Sequence, residues 1–338
     1  MVTVSSIPDV LRFSSLQARS TEIRQELSDA QLELTTGFRS TKKTIQQLNG
    51  RLGDAQLLRR EINQFDRKNQ SFALGLGRAS IVQNSLSLIL ESVGSIPEDL
   101  RSASLRGDRN RIEVTALEAQ SSVETVFGAL NAQYGRRFLF AGDQTDRAPI
   151  VNSEQLLADV AAIVSGAATA ADADTALDTY FGPGGTFETI LYRGGAGEAA
   201  TVELSENERV GVETKADEQA FRDILRGLAV SAAASSTSFA DDSERDVLLQ
   251  AASTSLVDGI EGVSVLIAET GLTENRIASA QARLAAEEAI ITDAYLELVG
   301  EDPFVAAGRV QELEVQLQTT FTVTARLSRL SFTNFINS

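Results

Sequence analysis

The chain has no cysteine, no histidine and no tryptophan, and only five prolines in 338 residues. Without cysteine there is no disulfide, no thiolate nucleophile and no sulfur-ligated zinc; without histidine there is no imidazole to move protons or bind a metal. No nucleophile, base and oxyanion set stands out among the remaining carboxylates, lysines, serines and tyrosines. The expectation is a protein that is not an enzyme and uses no cofactor and no metal. Positive charge is also scarce: 30 Lys and Arg face 47 Asp and Glu, a net charge of −17. A nucleic-acid backbone is bound by neutralising its phosphates, so no nucleic-acid partner is expected. Long apolar runs are missing too. The most apolar stretch, Leu156 to Ala171, is interrupted by Asp159 and Ser165 and falls short of the roughly 20 residues that span a bilayer. Met1 to Ser15 lacks the basic start, apolar centre and small-residue cleavage site of a secretory signal peptide. No membrane partner and no cleaved signal are expected.

What is present is helical periodicity at both ends. Phe13, Leu16, Ser20, Ile23, Leu27, Ala30 and Leu34 follow one another at spacings of three and four, which places them on one stripe of a helix. Val310, Leu313, Leu317, Phe321, Thr324 and Leu327 do the same near the other end, and the apolar series continues through Leu330, Phe332 and Phe335. Neither stripe can bury itself alone. Each needs the other, or the helices of neighbouring subunits.

The prolines, at 8, 97, 149, 183 and 303, leave intervals long enough for long helices. A first helix is expected from about Asp9 to a stop at Thr35-Thr36-Gly37, and a second from near Asp54, with Leu58, Ile62, Phe65, Asn69, Phe72, Leu76, Ala79, Gln83, Leu86, Leu90 and Val93 on one face. Asn69 and Gln83 either fix register within that seam or lie at its edge. A third helix follows Gly107-Asp108. The period then shortens to strand-like alternation at Arg137 to Phe140. The middle carries further strand patterns at Thr189 to Arg193, Thr201 to Leu204 and Arg209 to Glu213, with Gly194 to Gly197 as a hairpin turn. Helix resumes near Glu218. After an Ala/Ser-rich loop, Ser243 and Asp246 suggest a capping box; Gly271 should end that helix, Thr273 should cap the next, and Asp302-Pro303 should start the last.

The fold class expected is mainly α: a long antiparallel helical bundle or coiled coil built from N- and C-terminal regions, with a small inserted β-rich domain. Its parts are an assembly helix at 1–36, two halves of a helical rod at 37–145 and 220–303, an inserted outer domain at 146–219 and a second assembly helix at 304–338. Charge divides the same way. Residues 1–145 carry 18 basic and 16 acidic groups, 146–219 carry 4 and 14, and 220–338 carry 8 and 17. The strongly acidic insert therefore reads as a solvated outer surface.

Three local patterns resemble sites and are better read otherwise. Gly37 to Thr44 looks like a phosphate-binding loop, but Lys42 replaces the second glycine and a helix precedes it, so a helix-to-helix connection is expected. Asp172, Asp174 and Asp178 suggest a calcium loop, with Leu177 where the turn glycine belongs and Pro183 where the bidentate glutamate belongs. Glu287-Glu288 and Asp241-Asp242 are neighbours whose side chains diverge on a helix, so they read as surface charge.

Two segments resemble the flagellin-like axial proteins, and among them the hook-filament junction group, the third hook-associated proteins. Asn131 to Thr145 is similar to that family's Asn-x-x-x-Gly-Arg-Tyr-x-Phe-Ser/Ala-Gly signature through Asn131, Gly135, Arg136, Phe138, Phe140 and Gly142, with Phe138 where tyrosine is common. Ala325 to Ile336 resembles the family's C-terminal close, and Leu34 to Gly37 its Leu-Ser-Ser-Gly. The chain departs from the family after Gly37, where the basic stretch Phe38 to Lys43 replaces a Ser-Asp-Asp-Pro loop. The resemblance implies a secreted structural subunit of the bacterial flagellum, exported by the type III route and serving motility. Its implied partners are other copies of itself in a ring, a hook-associated protein on the hook side, flagellin on the filament side and an export chaperone. On that reading Phe13, Leu16, Ile23, Leu27, Ala30 and Leu34 form the N-terminal self-assembly seam. Val310, Leu313, Leu317, Phe321, Leu327, Leu330, Phe332 and Phe335 form the C-terminal one. A flagellin filament subunit and a helical stalk carrying a ligand-binding insert are the alternatives.

Overall fold

A computed structural model describes residues 7–47, 50–197, 199–205, 207–234 and 242–336. Among them the chain is mainly α, with two small antiparallel hairpins as its strands.

Helix α1, Ile7–Thr36, ends where the sequence stops it. Gly37 takes a left-handed φ of 72°, open to glycine without a Cβ penalty, and its amide donates to Glu33 O at 2.8 Å. After the short α2, Thr41–Gln47, comes α3, Leu52–Val93. Helix α4, Ile96–Arg106, has Pro97 in its first turn and closes at Gly107; α5, Arg109–Leu130, is capped by Asp108, whose carboxylate accepts from Arg111 N at 3.1 Å. A hairpin of β1, Gln133–Tyr134, and β2, Arg137–Phe138, follows. The middle of the chain is largely helical: α6, Ser153–Gly166, and α7, Ala170–Phe181, precede the β3–β4 hairpin of Val202–Ser205 and Glu208–Val210. Helices α8, Gln219–Ala233, α9, Asp242–Val299, and α10, Pro303–Ile336, complete the chain.

Three expectations are corrected. Gly271 does not end a helix: it has no positive φ, Thr270 is buried and returns its hydroxyl to Leu266 O at 2.8 Å, and the buried series from Val263 through Thr270 to Ile277 keeps α9 continuous. The segment read as a strand at Thr189 to Arg193 is mostly a π-helical turn, Phe187–Leu191, after which Tyr192 alone pairs with Ile150. Phe187 and Leu191, four residues apart, are both buried there, the spacing of one face of a helical turn. Gly194 to Gly197 is not a hairpin turn but a loop folded over Gly142-Asp143, with Gly195 N donating to Ala141 O at 2.9 Å.

The chain divides into two compact units. One comprises residues 68–283 and the other residues 1–67 with 284–338. The 68–283 unit has one continuous core, with Leu86, Leu130, Phe140, Leu156, Leu177, Phe187, Phe221 and Leu256 all fully buried. The rings of Phe140 and Phe221 meet edge to face at 6.0 Å, joining the loop after β2 to α8. Helix α9 is long and apolar enough to cross a membrane by composition alone. Its Leu249, Leu256 and Val263 are nevertheless buried in this core, with Asp258, Glu261 and Glu269 exposed, the pattern of an amphipathic packing helix. Where α8 and α9 cross, a Cβ on Gly259 would stand 2.9 Å from both Ala220 O and Ile224 N, closer than such atoms approach. Glycine is therefore required by the spacing of the two backbones.

Candidate assembly seam and its charged clasp

In the unit formed by 1–67 and 284–338, α1 packs along α10. The centre of the seam is small. Ile23, Ala30 and Leu313 are buried, and Leu27, Val310 and Leu317 pack against them half-buried. The remaining predicted seam residues are not enclosed: Leu16 is half-buried, Leu34 is 38% exposed and Phe321 is 44% exposed. The guanidinium of Arg24 lies 5.1 Å from the centroid of Phe321, shielding one face of that ring. Phe13, Leu327, Leu330, Phe332 and Phe335 lie on the helices, but their side chains are outside the described residues. On α10, Phe304 and Val315 are 88% and 62% exposed, at helical spacing away from the seam.

One end of the seam is fastened by charge. Past Gly37 the chain forms a single antiparallel bridge between Phe38 and Gly300, flanked by Arg39 N to Val299 O at 2.8 Å and Glu301 N to Gly37 O at 2.9 Å. The Phe38 ring packs against that of Tyr295 at 5.8 Å. Around this bridge, Arg39 donates to Leu298 O at 3.1 Å and to the Glu301 carboxylate at 3.3 Å; Lys43 meets the same carboxylate at 2.5 Å and Glu33 at 3.5 Å. Glu33 also accepts from Ser40 N at 2.8 Å and is 3% exposed. Burial pushes its carboxyl up, but the hydrogen bonds from Ser40 and the Lys43 ammonium outweigh that, holding it below the usual glutamate range. The basic loop that departs from the family pattern thus ties the end of α1 to the α9–α10 turn. That turn is set by Asp302, whose carboxylate accepts from Phe304 N at 2.8 Å, with Pro303 in the first turn.

Sequence reasoning missed this clasp. Its one legible sign was the run of cations after a helix-stopping glycine, and Glu33 gave none, because it lies beside the apolar stripe instead of on it.

The signature residues lie in the 68–283 unit and serve its packing. The carboxamide of Asn131 reads the backbone of Ile150, with Nδ2 donating to Ile150 O at 2.9 Å and Oδ1 accepting from Ile150 N at 3.3 Å. Gly135, with φ 65°, is the first turn residue of the β1–β2 hairpin, a place where glycine relieves strain. Phe138 N donates to Thr145 O at 2.9 Å, and Phe140 is buried, its carbonyl accepting from Ala216 N at 2.9 Å. Gly142 sits under the glycine loop at 195–197. Arg136 is exposed in the turn, and nothing in the structure explains its identity.

The other sequence patterns are partnered structurally. Thr169 caps α7 through Asp172 N, while Asp174 and Asp178 pair with the two terminal nitrogens of Arg226 at 2.5 and 2.6 Å. No group of carboxylates suited to a metal occurs among the described residues. Asn69 and Gln83 are both half-buried, and Gln83 Oε1 has no hydrogen-bond partner. The arrangement presents an apolar stripe that is partly covered and a polar clasp at one end of it.

Residues 255–336, most of α9 and all of α10, match the family model of the bacterial flagellin C-terminal helical region. Over that stretch the chain is flagellin-like. Comparison with curated proteins gives no match. Among solved structures it is similar to FlgL of Bacillus cereus, at 14% identity and a TM-score of 0.48, over 71% of this chain and 98% of that one. It is also similar to a structure described as a flagellar hook-associated protein of Vibrio parahaemolyticus, at 16% identity and a TM-score of 0.41, over 70% of this chain and 95% of that one.

Proposed function

We propose that this chain is a non-enzymatic structural subunit of the bacterial flagellar axis, a hook-associated protein at the hook-filament junction that assembles through α1 and α10. The observation that carries the reading is the coincidence of two facts. The flagellin-like region ends in α10, and the apolar stripe of α10 is only partly covered by α1. A two-helix seam leaves outer faces that further helices would cover, and copies arranged in a ring supply them. Leu16, Ile23, Leu27, Ala30, Leu34, Val310, Leu313, Leu317 and Phe321 are the described residues assigned to the self-assembly seam, whose uncovered side those copies would complete. The flanking partners are a hook-associated protein on one side and flagellin on the other, and the chain travels through the flagellar export route, with a chaperone, to an extracellular place.

Leu317→Asp tests this. It puts a carboxylate against Leu313 and Ile23, where burial of an unpaired charge is disfavoured. The 68–283 unit should keep its circular dichroism and hydrogen-exchange protection while incorporation into flagella is lost. Normal incorporation of the variant contradicts the assignment.

Because the matching family model is that of flagellin itself, a filament subunit is the second reading. Electron microscopy of the purified chain in polymerising salt separates the two: long homopolymers identify a filament subunit, and their absence fits a junction protein.

A further inference from the structure

We propose that a small pocket beside the β1–β2 hairpin receives a carboxylate side chain from a second copy of this chain. The proposal rests on the assembly reading above and adds a second contact, in the 68–283 unit, to the terminal seam. The pocket has a volume of about 50 Å³ and is lined by Arg78, Val82, Tyr134, Arg137, Val202 and Ile277, among others. Its size decides what can enter. Sites for cofactors and drug-sized ligands run from about 300 to 1,000 Å³, whereas a single water needs about 10 to 15 Å³, so this pocket suits the tip of a side chain. Its charge decides which one. Two arginines line an otherwise mostly apolar wall. Among the described residues, Arg78 meets no carboxylate and Arg137 reaches only the Thr145 hydroxyl, at 3.5 Å. Some arginines of the same unit do hold carboxylates, Arg226 with Asp174 and Asp178, Arg111 with Asp99 and Arg101 with Glu98, while Arg147 and Arg222, like Arg137, reach neutral acceptors.

A guanidinium fork fits a carboxylate in geometry as well as charge, and an apolar floor suits the methylene stem of Asp or Glu. A second copy is the occupant argued by charge complementarity. The chain carries 47 acidic against 30 basic groups, so another copy presents carboxylates in excess wherever outer surfaces meet. Thr145 and Thr273 also line the pocket and supply neutral hydroxyls.

Photocrosslinking of the full chain tests this. A benzophenone amino acid replaces Thr273 in isotopically heavy protein, which is mixed with light wild-type chain under assembling conditions and irradiated; mass spectrometry then locates the product. The expected result is a heavy-light crosslink to a peptide containing Asp or Glu, reduced about tenfold or more in Arg78→Gln/Arg137→Gln. Arg137→Glu alone, at an exposed position, should give the same loss if the double variant fails to fold, and Arg136→Gln should not change it. Crosslinks confined to one copy, or unaffected by the arginine changes, would overturn the proposal. Loss of labelling on adding inorganic phosphate, with no intermolecular product in its absence, would identify a free-anion site and overturn it too. Light scattering in the same samples separates the two failures. Copies that associate without the crosslink leave the terminal seam standing, whereas copies that never associate remove both readings.

Discussion

Phe221 and Leu317 both lie on amphipathic helices of this chain, and their surroundings could hardly differ more. Phe221 is fully buried in the core of the 68–283 unit, its ring meeting that of Phe140 edge to face. Leu317 is half-buried against a cluster of only three buried residues, Ile23, Ala30 and Leu313, on a helix whose far side shows Phe304 and Val315 to solvent. The 68–283 unit encloses a large continuous core, whereas the described seam between α1 and α10 buries only Ile23, Ala30 and Leu313. A helix gains most of its stability from packing an apolar face, so helices with half-covered faces hold their conformation weakly until something completes the cover.

The largest effect that would break this contrast is expected in the closed unit. Phe221→Ala removes a fully buried ring and should cost about 3–5 kcal/mol, seen as lost hydrogen-exchange protection across α5 and α8. A change below about 1 kcal/mol would mean that this core is as loosely packed as the seam. Next comes the clasp. Glu33→Gln leaves Ser40 and Lys43 facing a neutral carboxamide and should cost the end-built unit about 1–3 kcal/mol at neutral pH. Because the folded-state pKa of Glu33 is lowered, its contribution is present above the ordinary glutamate range and is lost as pH falls through the lowered value. The difference between variant and wild type should therefore shrink in acid. A pH-independent difference would assign the effect to packing.

The same substitution should change sign between the units. Gly259→Ala forces a Cβ onto the backbone of α8 and should destabilise by about 1–3 kcal/mol. Gly308→Ala, on α10, meets nothing within 4 Å and should stabilise its helix by up to about 1 kcal/mol. Parallel chemical denaturation of the two variants checks the pair. The smallest effect concerns Asp223. Burial raises its carboxyl, with the Asp258 charge adding to that, so the folded unit gains relative stability as pH falls through the raised pKa. Asp223→Asn should stabilise the 68–283 unit slightly at neutral pH, with the gain fading on mild acidification. A constant gain across that range would discount the charge.

Much of the helical layout was legible because local rules and tertiary packing agree there. Gly37 ends α1, Asp302 and Pro303 start α10, and the stripe from Phe65 through Phe72, Ala79 and Leu86 to Val93 is buried as its period predicts. The readings failed where a short pattern had two solutions. Gly271 carries a stop signal that the continuous buried face of α9 overrides, and Thr189 to Arg193, read as a strand for its β-branched and aromatic residues, falls mostly in the π-helical turn Phe187–Leu191. The separate helix α4 was not anticipated, though Pro97 and Gly107 mark its two ends. Of the candidate site, the stripe and its need for a partner were legible, and which of its residues lie uncovered was not. Leu34 fits the heptad yet lies exposed, because the chain turns at Gly37 and the clasp buries Glu33 in its place. Pairs such as Lys43 with Glu301 join residues far apart in sequence, and no local pattern announces them.

Hydrogen exchange of the full chain, read by mass spectrometry in the free monomer and after assembly, tests the central claim most directly. The account predicts fast exchange through the seam-bearing parts of α1 and α10 in the monomer, slow exchange through α5, α8 and the part of α9 within residues 242–283, and protection of α1 and α10 on assembly. Protection of α1 and α10 in the free monomer equal to that of α5, unchanged by assembly, would contradict it.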